Sequence, residues 1–252
     1  MIKQILKSKW LLCSIVLMSF TLPQERQIKV YMIGDSTMAD KAKKAYPETG
    51  WGTPFAVFFK PEAQVDNRAQ NGRSTKSFLA EKRWSAVMDS LKQGDYVFIQ
   101  FGHNDEIQTK KSATTEPEFK ANLLRFVKET REKKGIPILL TSIARRSFDP
   151  SGKLEDTHAV YSQIVRDVAL QSKTPLIDMD RKSQALLMSF GPENSKLLYN
   201  HLAVGEHPNY PDGKEDDTHF NELGARKMAE IVLAEVRTLK LGLVDYIVNA
   251  NK

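Results

Sequence analysis

The apolar and polar positions of the chain sort into short apolar runs separated by longer amphipathic stretches. Ile28 to Ile33 (IKVYMI) is rich in branched residues and ends at Gly34, which predicts a buried strand. Gln64 to Arg68 predicts a short second strand, and Tyr96 to Phe101 (YVFIQF) a third with the strongest pattern. Ile136 to Thr141 (IPILLT) predicts a fourth, and Pro175 to Ile177 a short fifth. Trp51 to Phe59 fits a short helix. Lys76 to Leu91 carries Phe78, Leu79, Trp84, Val87, Met88 and Leu91 at helical spacing. Glu118 to Lys134 and Leu154 to Ser172 read as further helices, and Asn221 to Leu239 closes the chain as an amphipathic one. Residues 191–217, rich in Pro, Gly, Asn and Asp, predict irregular structure.

Strands that alternate with helices imply a parallel sheet covered on both faces. The expected fold is therefore a three-layer α/β/α sandwich, flavodoxin-like, with a parallel sheet of about five strands. Ligands of such sheets bind beyond the carboxyl ends of the strands, at the switch point. No repeat, heptad or linker divides the chain, so residues 23–252 are expected to form a single domain.

The first 22 residues change the picture of where the chain works. Lys3, Lys7 and Lys9 precede an apolar run from Trp10 to Leu22, too short for a membrane-spanning helix and suited to a signal peptide. The expectation is an exported protein, periplasmic or extracellular, with no membrane span in the mature chain. Cys13 is the only cysteine and lies inside that run. A mature chain without it has no disulfide, no thiol nucleophile and no cysteine metal site. Those three lysines also supply half of the formal charge of +6, and no acid offsets them before Glu25. The rest is mixed in sign, without a basic run, so a nucleic-acid partner is not expected. A small positive excess suits an anionic polysaccharide, or simply a solvated surface.

Three polar segments follow the first three strands: Gly34-Asp35-Ser36-Thr37, Asn71-Gly72-Arg73-Ser74 and Gly102-His103-Asn104-Asp105. In a 2-1-3 strand order, Ser36 is flanked by Gly72 and Asn104. Asp216-Asp217-Thr218-His219, just before the last helix, can reach the same edge. A serine hydroxyl needs a base to become a nucleophile. His219 can take its proton and return it to a leaving alcohol, and Asp216 can fix the imidazole tautomer. The backbone N–H groups of Ser36, at an expected helix start, and of Gly72, with the Asn104 amide, can stabilise an oxyanion. Each residue also has a plain structural role open to it: Ser36 and Asn104 as caps, Gly72 as a turn glycine, Asp216 as a loop residue, His219 as a surface histidine.

At these residues the chain resembles the SGNH (GDSL-type) hydrolases, and within them the rhamnogalacturonan acetylesterases. Gly34 to Met38 (GDSTM), Gly50-Trp51-Gly52, Gly72-Arg73-Ser74, Phe101 to Asp105 (FGHND) and Asp216 to His219 (D-x-x-H) carry the resemblance. It implies Ser36 as nucleophile, His219 as base, Asp216 as its partner, and Ser36, Gly72 and Asn104 as the oxyanion hole. It also implies no cofactor and no metal, and an acetylated polysaccharide or oligosaccharide as partner, with rhamnogalacturonan first.

His103, beside Asn104, and Arg145, after the fourth strand, are candidate substrate contacts; packing and surface solvation are the alternatives. Asp217 competes with Asp216 but stands two residues from His219 rather than three. His201, His207, Asp212 and Asp216 match no helical zinc spacing. An acetylesterase on another glycan, such as xylan, remains open, as does a non-catalytic carbohydrate-binding protein on the same fold. The loop after the first strand lacks G-x-G-x-x-G and P-loop spacing, so nucleotide binding is unsupported.

Overall fold

A strand apolar at successive positions must be covered on both faces, and five such strands set the architecture. In the computed structural model, which describes residues 27–248, they are β1 (Ile28–Gly34), β2 (Ala63–Asn67), β3 (Tyr96–Gln100), β4 (Ile136–Leu140) and β5 (Leu176–Ile177). All pair in parallel in the order β2-β1-β3-β4-β5, with Val30 opposite Val65 on one side and Tyr96 on the other. The flavodoxin-like expectation therefore holds. The expected leader, with Cys13, lies outside the described residues.

Side chains alternate across the sheet and divide the core in two. Val30, Met32, Phe98, Ile138 and Leu140 pack toward α1 (Gly52–Ala56), α6 (Met179–Asn194) and α7 (Glu222–Thr238). Tyr31, Ile33, Val97, Ile99 and Leu139 pack toward α2 (Thr75–Ala80), α3 (Arg83–Ser90), α4 (Glu116–Glu132) and α5 (Ala159–Ser172). Each fully buried aliphatic or phenyl side chain contributes about 1.5–3 kcal/mol by leaving water. The chain moves from one face to the other between β1 and β3, which makes their carboxyl ends the switch point.

Three helices depart from expectation. Residues 76–91 form two helices rather than one, broken at Lys82 in the left-handed region (φ 57°). Phe78 and Val87 are nine residues apart, half a turn out of phase at about 100° per residue in a straight helix. Both are fully buried because the break re-aims α3. The helix expected from Leu154 begins only at Ala159; Leu154 instead pairs antiparallel with Phe148. Part of the segment expected to be irregular is ordered, since α6 runs to Asn194 across a kink at Gly191 and a 3-10 turn follows at Ser195–Leu198.

Candidate active site

Ser36 leaves β1 in a tight turn rather than at a helix start. Asp35 shapes that turn: its Oδ1 accepts from the Thr37 backbone N–H at 2.9 Å and from the Thr37 hydroxyl at 2.8 Å. The turn is held from behind by Gly50-Trp51-Gly52. The Trp51 N–H donates to Thr37 O at 2.9 Å, and the indole N–H donates to Gln100 Oε1 at 2.8 Å. Glycine is needed at position 50 because a Cβ there would stand 2.1 Å from Ala39 O. The GWG signature is thus a buttress for the serine turn.

The edge of the sheet assembles around it. His219 Nε2 lies 2.9 Å from Ser36 Oγ, and His219 Nδ1 lies 2.9 Å from Asp216 Oδ2. Asp216 Oδ1 accepts from the backbone N–H groups of Thr218 and His219, each at 2.9 Å. Burial opposes ionisation of Asp216, but hydrogen bonds from His219 and Thr218 outweigh it and hold the carboxyl well below the usual carboxylate range. Asp217 points elsewhere, to Arg146 Nη1 at 2.7 Å and His201 Nε2 at 2.8 Å. The three-residue spacing, not the two-residue one, meets the imidazole.

Gly72 sits at φ +75°, a conformation that favours glycine, and a Cβ there would meet no protein atom within 4 Å. Among the described residues no acceptor takes the Ser36 or Gly72 backbone N–H. Asn104 donates one amide hydrogen to Arg73 O at 3.1 Å, and its Oδ1 accepts from Lys110 Nζ at 2.7 Å. Two backbone donors and one amide hydrogen are therefore left for a ligand. They line a cavity of about 380 Å³ with Ser36, His103, Arg145, Lys110, Glu48 and His219. Larger space, about 600 Å³ between Leu197 and Leu223, lies away from Ser36 and brings together no comparable set of groups.

Of the two candidate contacts, Arg145 faces this cavity, with Nη2 on Glu106 Oε1 at 3.2 Å. His103 also lines it, but both ring nitrogens are enclosed and the ring packs edge-on against His158 at 4.2 Å. Burial pushes the His103 imidazole far down, so it stays neutral. His158 in turn meets Glu106 at 2.8 Å. Arg146 does not line the cavity: it binds Asp217, Ser195 Oγ at 3.0 Å and Pro192 O, tying the loop of Asp216 and His219 to the kink of α6. His201, His207, Asp212 and Asp216 do not converge; among the described residues no three such side chains form a metal cluster. Sequence reasoning missed Lys110, the clamp by Arg146, and the Lys41–Glu48 ion pair (2.7 Å), whose glutamate lines the cavity.

A hydroxyl, an imidazole and a carboxylate in series, beside free amide donors at a sheet switch point, are equipped for acyl transfer. The chain belongs to the GDSL-like lipase/acylhydrolase family, which matches residues 32–227. It is 40% identical over 227 residues to rhamnogalacturonan acetylesterase RhgT of Bacillus subtilis, covering 89% of this chain and 96% of that one. It is 32% identical to the probable rhamnogalacturonan acetylesterase YesY of the same organism, covering 87% and 97%. The crystal structure of the B. subtilis protein YxiM superposes with a TM-score of 0.74 at 26% identity; the match covers 86% of this chain and 58% of the YxiM chain.

Proposed function

We propose that this acetylesterase removes acetyl groups from rhamnogalacturonan, through a Ser36 acyl-enzyme with His219 as base and Asp216 as its partner. Ser36 Oγ attacks the acetyl carbonyl carbon as its proton passes to His219 Nε2. The carbonyl oxygen becomes an oxyanion held by the N–H groups of Ser36, Gly72 and Asn104, donors worth about 2.7–4 kcal/mol each where one has been removed elsewhere. Collapse breaks the ester bond, and the imidazolium returns the proton to the leaving sugar oxygen. Water then attacks the acetyl-serine with His219 again as base, and acetate departs as Ser36 regains its hydrogen. The imidazolium formed in both steps faces a carboxylate that stays ionised.

The observation that carries this reading is the continuous series Asp216–His219–Ser36, with both bonds at 2.9 Å. RhgT and YesY, named for rhamnogalacturonan, support the polymer. Arg145 at the cavity suits an acidic glycan. Among the described residues no helix is long and apolar enough to cross a membrane, and the leader-like residues 1–22 agree with action outside the cytoplasm. The test is acetate release from acetylated rhamnogalacturonan, xylan and oligosaccharides. Ser36→Ala is expected to abolish release while the protein still melts cooperatively, and a fluorophosphonate should label Ser36 alone. Unchanged turnover in that variant would reject the mechanism; release from xylan in preference to rhamnogalacturonan would reject the substrate.

A further inference from the structure

An amide serves as an oxyanion donor only if its nitrogen, not its oxygen, faces the reacting atom. The two ends of a free Asn side chain are nearly the same shape, so orientation must come from partners. Asn104 has one at each end. Its nitrogen donates to Arg73 O at 3.1 Å, and its oxygen accepts from Lys110 Nζ at 2.7 Å. The ammonium is the only donor to Oδ1 among the described residues. It is also a donor that cannot act as an acceptor, so it rejects the flipped amide outright.

Lys110 itself is exposed, and its loop is not free to wander. The Lys110 N–H donates to Ile107 O at 2.9 Å, and Ala113 N–H donates to Lys110 O at 3.0 Å. Just beyond, Thr114 N–H returns to Asp105 O at 3.0 Å, and Gln108 Nε2 spans the loop to Thr114 O at 3.0 Å. The lysine also lines the cavity, as do Glu48 and Ile107.

We propose that Lys110 is a positioning residue for the oxyanion hole: it locks the Asn104 amide nitrogen toward the acetyl carbonyl and polarises that amide as charge develops. This rests on Asn104 acting as an oxyanion donor, as argued above. A charge-assisted bond at one end of an amide strengthens the N–H at the other, as in any hydrogen-bonded chain. The benefit appears as negative charge forms on the substrate, so it belongs to kcat rather than to binding.

The alternative role for a cavity lysine is to hold a substrate carboxylate, and the two separate on a neutral ester. The experiment measures kcat and KM on p-nitrophenyl acetate and on acetylated rhamnogalacturonan for Lys110→Met, Lys110→Arg, Asn104→Ala and the Lys110→Met/Asn104→Ala double variant. Lys110→Met is expected to lower kcat about tenfold on both substrates, with KM on the neutral ester unchanged, and Lys110→Arg to restore most of it. The double variant should be no slower than Asn104→Ala alone, because the lysine acts through that amide. Full kcat in Lys110→Met overturns the proposal. So does a loss confined to KM on the polysaccharide, or a loss that adds in full to that of Asn104→Ala. Ser36→Ala assayed alongside keeps the readings apart: if it still turns over, the esterase mechanism itself has failed, whatever Lys110 does.

Discussion

Replacing Asp216 with asparagine tests the site more sharply than removing it. Asp216 Oδ1 is committed to two backbone donors, the N–H groups of Thr218 and His219 at 2.9 Å. In the Asp216→Asn variant the amide oxygen must keep that side, since an NH2 group there would face two donors. The NH2 is thereby turned toward His219 Nδ1, now 2.9 Å from Oδ2. A donor at that point makes Nδ1 the acceptor, so Nε2 carries the hydrogen and faces Ser36 Oγ as a donor rather than a base. The variant also loses the charge opposite the imidazolium, an attraction of about 4 kcal/mol at 4 Å and an effective dielectric of about 20. That alone is roughly a thousandfold in kcat, and the wrong tautomer adds to it, in line with about 10⁴ for the equivalent change in serine proteases. The assay is kcat for acetate release near neutral pH, with a thermal melt to confirm folding. Asp216→Ala, which admits water and leaves either tautomer accessible, should retain at least as much activity as the asparagine variant. An Asp216→Asn enzyme within tenfold of the wild type would refute the reasoning, because neither the charge nor the tautomer would then matter.

Two further outcomes follow from groups around the site. Arg146→Ala should lower unfolding free energy by about 2 kcal/mol, as expected for hydrogen bonds to a charged group, and also reduce kcat by freeing the Asp216–His219 loop; an unchanged urea midpoint would dismiss the clamp. Burial pushes the Asp105 carboxyl up to about 7 despite bonds from Thr75 and Thr114, so between about pH 4 and pH 7 the folded chain holds a proton that the unfolded chain has released. Stability should then fall as pH rises, by about 3 kcal/mol of Asp105-linked stability from pH 5 to pH 8. Asp105→Asn should remove that part of the slope, and an identical slope in urea unfolding would show that Asp105 does not carry it.

The strands were legible because parallel strands buried on both faces carry continuous apolar runs, and all five lie within a residue of where the pattern puts them. Strand order then placed Ser36, Gly72 and Asn104 together, since the loops after three neighbouring strands must meet. Helix interruptions were not legible. Lys82 adopts φ 57° with no glycine or asparagine to signal it, and the phase mismatch between Phe78 and Val87 was the available clue. The start of α4 could have been found: Thr115 and Glu118 form a capping box ahead of the apolar pattern. Likewise α6 opens at Asp178, an N-cap, with Met179, Ser183 and Leu187 on its buried face.

What the pattern could not carry is the coupling between distant polar residues. Lys110 stands in a polar stretch, Gln108 to Ser112, that reads as solvated loop, and nothing in its spacing points to Asn104. Arg145 and Arg146 are adjacent and identical, yet one turns into the cavity and the other is bound to Asp217 and the kink of α6. Such differences depend on which backbone carbonyls and carboxylates lie across a gap, which is fixed by packing rather than by local propensity. The same holds for the reacting pair: Ser36 and His219 lie 183 residues apart and meet at 2.9 Å. Each is held by its own buttress, Trp51 on Thr37 and Gln100 for the serine turn, Arg146 on Asp217 for the histidine loop. Neither buttress touches the reacting atoms, so the precision of that contact rests on residues outside the reaction.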